Sequence, residues 1–282
     1  MNPVLYRDIV ARALAEDLGR AGDLTTDLIF SPTHRSEAVF RARETGVLAG
    51  IEPALETFRQ LSSEVRVSGV LSDGAALNPG DVIARVTGPT RAILTGERTS
   101  LNLLGHLSGI ASRTRRLVDA VAGTRAAVVD TRKTLPGLRA LQKYAVTVGG
   151  GRNHRLGLDD AVLIKDNHVA ACGSLSEALA RVRAGVGHTV KIEVEVDTLA
   201  QFDEALTLEP DIIMLDNFAP ADLRTAVTRR DAGSPTQKRI LLETSGRVTE
   251  TTIRALAETG VDLISVGALT HSVTVLDIGL DY

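Results

Sequence analysis

From about residue 120 onward, the sequence alternates between short apolar runs rich in β-branched residues and segments with helical spacing. The segment 174–184, for example, begins with the capping residue Ser174 and repeats its apolar residues three and four positions apart. Strands that alternate with helices predict a parallel sheet covered by helices. The apolar runs are AAVVD (126–130), AVLIKD (161–166), TVKIEVEV (189–196), DIIMLDN (211–217), RILLETSG (239–246) and DLISVGA (262–268).

Polar residues gather at the carboxyl ends of these runs. A barrel of parallel strands brings all its carboxyl ends to one mouth, whereas an open sheet concentrates ligands near one switch point. The stretch 111–270 is shorter than the roughly 250 residues of a regular eightfold barrel. We therefore expect an open, incomplete parallel α/β barrel over 111–270, with the active site at the carboxyl ends of the strands.

The run TVKIEVEV carries charge on one face of its predicted strand. Because strand residues alternate between faces, Lys191, Glu193 and Glu195 share one side. Strands covered by helices are usually apolar on both faces, so these charges indicate a polar interior that opens to a ligand. An edge strand with one face in water is the alternative.

The first hundred residues have a different pattern. A helix is predicted over about 3–18, strands over 37–50 and 65–89, and a second helix over about 90–112. We expect an N-terminal α/β sandwich domain over 1–110, with short antiparallel strands. The tail 271–282 is expected to pack back on this domain.

Composition excludes several classes of protein. The chain of 282 residues has a single cysteine, so an internal disulfide framework and a Cys-rich metal site are ruled out. A formal charge of −3 and only 3% aromatic residues do not favour nucleic-acid binding. No apolar run reaches the roughly 18 residues of a membrane span, and the charged first residues are unlike a signal peptide. We expect a cytoplasmic protein.

The stretch between Asp130 and His168 is rich in basic residues. Arginine binds carboxylate and phosphate through a planar fork, and lysine binds phosphate as a point charge. The stretch therefore favours a small ligand that carries carboxylates and phosphates, with scattered surface charge as the alternative. The basic residues are Arg132, Lys133, Arg139, Lys143, Arg152, His154, Arg155, Lys165 and His168.

Two further features fit a phosphorylated ligand. The sequences TSGR (244–247) and VGALTHS (266–272) follow successive predicted strands, and each has a glycine that lets phosphate approach backbone N–H groups at the N-terminus of the helix expected to follow. Glu195 and Asp216 end neighbouring strands, where carboxylates could act as acid and base, metal ligands or acceptors for sugar hydroxyls. The nearby phosphate-binding groups favour the last two roles.

Several motifs together resemble the quinolinate phosphoribosyltransferase family. They are DTRKTLPGLRALQKYAVTVGGGRNHRLGL (130–158), LIKDNH (163–168), EVEVDT (193–198), LDNF (215–218) and VGALTHSVTVLDIGLD (266–281). The resemblance also includes 16–28 and GERTSLNLLGHLSGIAS (96–112), so it extends over most of the chain. It implies an N-terminal α/β sandwich and an open α/β barrel.

The reaction implied by the resemblance joins quinolinate to phosphoribosyl pyrophosphate and yields nicotinate mononucleotide, diphosphate and CO2, a step of NAD synthesis. It implies Mg²⁺, which would bind through the diphosphate and through Glu195 and Asp216, and no organic cofactor. Lys133 and Lys165 would meet the diphosphate and the substrate charge, while Glu195 and Asp216 would hold ribose hydroxyls or magnesium. These four are the implied catalytic residues.

Quinolinate recognition is implied for a further set of residues. Arg132, His154 and Arg155 would hold the two carboxylates, and Arg98 would join them from the neighbouring subunit of a homodimer, which could associate further. The 5-phosphate would be held by Ser245, Gly246, Gly267 and His271.

The sequence leaves rival functions open. A paralogue could act on another acid, a barrel aldolase could use Lys165 as a Schiff base, and an anion-binding module would bind phosphate without turnover. The chain also departs from the family, which usually has SGG or SGN where Arg247 ends the SGR sequence. The segment 231–239 resembles an insertion.

Overall fold

The computed structural model describes residues 1–233 and 239–282, so most of the insertion-like segment 231–239 lies outside the described residues. In chain order, after a 3-10 helix at Pro3–Leu5, the elements are α1 (Arg7–Leu18), α2 (Leu24–Ile29), β1 (Arg35–Ala42), β2 (Gly46–Val47), α3 (Ile51–Leu61), β3 (Arg66–Ser68), β4 (Ala76–Leu77), β5 (Val82–Pro89), α4 (Thr90–Ala120), β6 (Ala127–Val129), α5 (Arg139–Val148), β7 (Val162–Ile164), α6 (Asp166–Cys172), α7 (Leu175–Gly185), β8 (Ile192–Val196), α8 (Leu199–Thr207), β9 (Ile212–Asp216), α9 (Pro220–Asp231), β10 (Leu241–Ser245), α10 (Ile253–Ala257), β11 (Leu263–Ser265), α11 (Ala268–His271) and β12 (Ile278–Asp281).

These elements form two units. The first comprises Met1–Arg115, Thr134–Gly150 and Leu269–Tyr282, and the second comprises Arg116–Lys133 and Gly151–Ala268. The division at residue 110 stays a prediction. None of the helices among the described residues is both long and apolar enough to cross a bilayer.

The first unit is built on an antiparallel sheet in the order β12-β1-β5-β3. Strand β1 alternates, so that Ala38, Phe40 and Ala42 are buried while the residues between them are more exposed. The ring of Phe40 packs edge to face on Phe58 of α3, with centroids 5.9 Å apart. These contacts form the core of the unit.

Glycines in α4 allow the C-terminal segment of the first unit to lie directly against this helix. A Cβ at Gly105 would come within 2.9 Å of the carbonyl oxygen of Leu276, and a Cβ at Gly109 would overlap that of Thr274. The carbonyl of Gly105 also accepts a hydrogen bond from the N–H of Leu276 at 3.0 Å. The segment leads into β12, which pairs with β1.

The second unit contains a six-stranded parallel sheet in the order β6-β11-β10-β9-β8-β7. Each of the six predicted runs forms one of these strands, and helices follow them in the alternating order. Among the described residues, β6 and β7 stay at the two edges of the sheet and do not pair with each other. The prediction of an α/β protein with an open parallel sheet and a separate antiparallel sheet is therefore confirmed.

Helix boundaries were less predictable. The expected helix over 90–112 continues to Ala120, and the one expected over 3–18 is divided between the 3-10 turn and α1. Helix α6 was not predicted, because its sequence DNHVAAC has no amphipathic repeat; Ile253–Ala257 is also shorter than expected. Short helices depend on tertiary contacts more than on local pattern.

Candidate active site

A cavity of about 380 Å³ lies at the carboxyl ends of the strands of the second unit. We call it the strand-end pocket. Its wall combines basic, acidic and hydroxyl side chains with only two apolar ones, which is typical of a site for a polar, charged ligand. The lining residues are Thr131, Arg132, Lys133, His154, Arg155, Leu163, Lys165, Glu195, Met214, Asp216, Glu243, Ser245 and Ser265.

The parallel register explains why residues so distant in sequence share this wall. Asp216 lies opposite Ser245 in the pairing of β9 with β10, and Glu195 lies opposite Met214 in the pairing of β8 with β9. Side chains two residues apart on a strand point to the same face. Polar residues at the ends of neighbouring strands therefore face the same cavity.

Two arginines form the most distinctly anion-binding part of the pocket. Burial, followed by the nearby charge of Arg132, lowers the pKa of Arg155. The Nε of Arg132 is buried and has no hydrogen-bond partner among the described residues. Adjacent guanidinium groups with unused donor capacity favour a carboxylate or phosphate ligand.

Lys165 and Glu195 form an ion pair inside the pocket. The Nζ of Lys165 donates to Oε2 of Glu195, and the lysine is the more exposed partner, at 42% against 14%. The lysine sits at the N-cap of α6, where the ring Nδ1 of His168 accepts a hydrogen bond from its backbone N–H. His168 thus stabilises the turn rather than lining the cavity.

His154 stands between Arg155 and two buried carboxylates. Its Nδ1 accepts a hydrogen bond from the backbone N–H of Arg155 at 2.8 Å, which places the ring proton on Nε2. That nitrogen lies 2.9 Å from Oε2 of Glu193 and 3.7 Å from Oε2 of Glu243. The imidazole therefore links the Arg155 backbone to the acidic groups.

Glu193 and Glu243 are nearly inaccessible, with side chains 4% and 0% exposed. Burial and the neighbouring Glu193 raise the pKa of Glu243 to about 8, with a smaller contribution from Asp130 and an opposing one from His154. Burial and the neighbouring charge therefore favour the neutral form of the Glu243 carboxyl. With His154 these carboxylates place potential metal-ligand atoms within 4.8 Å of one another.

Two tight turns border the pocket after β9 and β10. Asn217 and Arg247 both have left-handed backbone conformations, with φ of 57° and 48°. The amide Nδ2 of Asn217 donates to Oδ2 of Asp216 at 2.6 Å, and its backbone N–H donates to the carbonyl of Ser245 at 2.9 Å. Glycine or asparagine tolerates a left-handed φ better than arginine does. The backbone of the SGR sequence in this chain is therefore more strained than that of the SGG or SGN sequences usual in the family.

The glycines predicted to bind the 5-phosphate lie in turns that follow strands of the parallel sheet. Gly246 follows β10, and Gly267 lies between β11 and α11. Because α10 begins only at Ile253, the turn after β10 is not itself the start of a helix, contrary to expectation. Arg98 and His271 belong to the first unit, where Arg98 lines a separate cavity of about 420 Å³.

Sequence reasoning assigned no role to Glu243 or to Asn217, although Asn217 is among the polar residues that end the apolar runs. After Arg239, Glu243 is the only charged residue in the run RILLETS (239–245). A charge inside a predicted buried strand is costly, and this was the signal that could have identified it. Asn217 directly follows the run IIMLD (212–216), and asparagine after a strand is typical of a left-handed turn. Arg139 and Lys143, by contrast, belong to the first unit and not to the strand-end pocket.

Comparisons with known proteins identify the family. The model of the quinolinate phosphoribosyl transferase N-terminal domain matches residues 23–108, and that of its C-terminal domain matches residues 110–281. The chain belongs to the quinolinate phosphoribosyltransferase family. Enzymes of this family are pentosyltransferases of NAD biosynthesis that form nicotinate mononucleotide from quinolinate with decarboxylation.

Relatives of the quinolinate phosphoribosyltransferase family match the whole chain. Nicotinate-nucleotide pyrophosphorylase [carboxylating] of Mycobacterium leprae is 50% identical over 98% of this chain and 96% of its own length. A probable enzyme of the same name from Bacillus subtilis is 44% identical over 100% of this chain and 94% of its own length. The crystal structure of NadC from Streptococcus pyogenes superposes with a TM-score of 0.94 at 40% identity, covering 100% of this chain and 97% of that one.

Proposed function

We propose that the strand-end pocket binds quinolinate and phosphoribosyl pyrophosphate and carries out the family's reaction. The observation that carries this proposal is the composition of one cavity, in which arginines and lysines face Glu195 and Asp216. A dicarboxylate and a polyphosphate require the basic groups, and a sugar that becomes positively charged requires the acidic ones.

The quinolinate carboxylates are assigned to Arg132, His154 and Arg155. Guanidinium forks match the planar carboxylates of the pyridine ring and fix its orientation. The buried, unpartnered Nε of Arg132 supports this assignment, because a carboxylate would satisfy it. A substrate that contacted the Nδ1 of His154 would compete with the backbone N–H of Arg155, which now donates a hydrogen bond to that nitrogen.

Transfer of the phosphoribosyl group is assigned to the acidic residues and the lysines. As the bond to diphosphate breaks, positive charge develops on the ribose and negative charge on the leaving group. Glu195 and Asp216 would stabilise the first, and Lys133 and Lys165 the second, without reorganising during the step. No covalent nucleophile is required.

Mg²⁺ is proposed as the metal ion of the reaction. Glu195 and Asp216 offer oxygen ligands at the pocket wall, and oxygen is the donor that Mg²⁺ prefers beside a diphosphate. When bound, the ion would neutralise charge on the diphosphate. Decarboxylation would need no organic cofactor, since a pyridine ring that carries ribose on nitrogen is cationic and accepts the electrons left by the departing CO2.

The 5-phosphate is assigned to residues that follow the last two strands of the parallel sheet. Ser245 and Gly246 would contact it after β10, and Gly267 and His271 after β11. Ser245 lines the strand-end pocket, and Gly246, with a φ of 103° that favours glycine, adds no side chain that would keep a phosphate from the backbone of the turn.

A homodimer, able to associate further, is proposed as the active form, with Arg98 entering the neighbouring subunit's pocket. The cytoplasm is proposed as its location.

Replacing Arg155 with lysine tests the quinolinate assignment. We expect the quinolinate KM to rise about tenfold, because lysine keeps the charge but loses the bidentate fork. The KM for phosphoribosyl pyrophosphate should change less than twofold. Steady-state kinetics with each substrate varied in turn would measure both values. Exposed Arg224 on α9 provides the matched control, and Arg224→Lys should behave like the wild type. An unchanged quinolinate KM in Arg155→Lys would refute the assignment.

A further inference from the structure

Asn217 connects the two halves of the phosphoribosyl side of the pocket. Its side-chain Nδ2 donates to the carboxylate of Asp216 at 2.6 Å, and its backbone N–H donates to the carbonyl of Ser245 at 2.9 Å. Asp216 and Ser245 are themselves register partners at the ends of β9 and β10. One residue therefore contacts both the carboxylate assigned to the sugar and the turn assigned to the phosphate.

The other side of the Asn217 amide faces Gly246. A Cβ built on Gly246 would overlap Oδ1 of Asn217 and lie 2.7 Å from its Cγ. Gly246 also has a φ of 103°, so both its conformation and its contact with Asn217 require glycine. The amide thus fills the space between Asp216 and Gly246 and fixes their separation.

The backbone of Asn217 is held in a conformation that costs energy. Only Glu209, Asn217 and Arg247 have positive φ among the described non-glycine residues, and two of these three border the strand-end pocket. Strained residues persist where the surrounding structure determines them, and they concentrate at functional sites. Asparagine is the non-glycine residue that accepts this conformation most readily while still offering a side-chain donor.

We propose that Asn217 is a positioning residue, which orients the Asp216 carboxylate toward the ribose and holds it at a fixed distance from the Ser245–Gly246 phosphate turn. This inference rests on the proposed function, because it takes Asp216 and Ser245 to be the phosphoribosyl side of the site. It adds a residue that acts through Asp216 and makes no contact with quinolinate. The carboxylate would otherwise be free to rotate about its side-chain torsions.

Two substitutions distinguish the contribution of the Asn217 side chain from that of its backbone conformation. Asn217→Gly keeps the left-handed turn but removes the amide, and Asn217→Asp keeps the size but replaces the donor with a second carboxylate beside Asp216. A hydrogen bond to a charged group has an effect of about tenfold to a hundredfold on binding. We expect the Kd for phosphoribosyl pyrophosphate with MgCl2 to rise about tenfold in Asn217→Gly and further in Asn217→Asp. The Kd for quinolinate should stay within twofold of the wild-type value.

Isothermal titration calorimetry with each substrate would measure these constants, and turnover would give the corresponding split between kcat and the two KM values. Glu209 is the matched control, since it is also left-handed but precedes β9, whereas Asn217 follows the carboxyl end of that strand; Glu209→Gly should leave all constants unchanged. Equal weakening of both substrates would indicate a merely structural role and overturn the proposal, as would wild-type binding of phosphoribosyl pyrophosphate by Asn217→Asp. A wild-type protein that binds neither substrate would instead refute the proposed function itself.

Discussion

Replacing Lys165 with alanine is expected to lower kcat/KM by about a hundredfold to a thousandfold, the usual cost of removing a preorganised charge that stabilises a transition state. Lys165 contributes positive charge to the strand-end pocket, and its loss also leaves Glu195 without its ion-pair partner. The lost charge opposes departure of the diphosphate, and the lost ion pair leaves the Glu195 carboxylate without the contact that holds it in place. Initial rates of nicotinate mononucleotide formation would measure the effect, with Arg224→Ala as a control remote from the pocket.

The same variant tests whether active sites are shared between subunits. If Arg98 enters the neighbouring pocket, a mixed dimer of Lys165→Ala and Arg98→Ala subunits contains one pocket with both residues intact. Mixing the two inactive variants should then restore up to about a quarter of wild-type activity, since half of the dimers are mixed and each has one intact site. Activity of Lys165→Ala within threefold of wild type would contradict the catalytic assignment. Absence of restoration, with mixed dimers demonstrated by mass, would contradict the shared site.

Replacing Glu243 with glutamine is expected to stabilise the protein at alkaline pH. The pKa of this carboxyl is about 8 in the folded protein and near its ordinary value of 4.5 in the unfolded chain. Between these values the folded state retains a proton that the unfolded chain has released, so the stability contributed by this group is complete below about pH 4.5 and is lost as pH rises toward 8. Glutamine mimics the neutral carboxyl and does not titrate.

The expected difference in unfolding free energy between Glu243→Gln and the wild type is about 4 kcal/mol at pH 8 and less than about 1 kcal/mol at pH 5. Urea unfolding at both pH values would measure it. Exposed Glu204 supplies the matched control, and Glu204→Gln should follow the wild-type curve. A Glu243→Gln protein that loses stability between pH 5 and pH 8 as steeply as the wild type would show that Glu243 is already ionised.

The parallel sheet and the wall of the pocket were predictable because both depend on local sequence pattern. Each apolar run became a strand, and the polar residue at its end, such as Lys165 or Glu195, entered the common cavity. Strand direction alone dictates this outcome, since parallel strands end on the same side. The open edges at β6 and β7 were also expected, from the shortness of the stretch.

The environment of individual side chains was less predictable. The raised pKa of Glu243 depends first on its burial and then on Glu193, which belongs to a strand two positions away in the sheet and comes close only in the folded structure. The role of Asn217 depends on a left-handed turn packed against Gly246. Both features arise from contacts between separate strands, which no window along a single sequence contains.

The central claim is that this pocket converts quinolinate, and not a monocarboxylate, into a nucleotide. The most direct measurement incubates the purified protein with phosphoribosyl pyrophosphate, MgCl2 and either quinolinate or nicotinate, and follows nicotinate mononucleotide by mass together with released CO2. We expect product from quinolinate alone, with one CO2 for each nucleotide formed. Product from nicotinate alone, or from neither acid, would contradict the account.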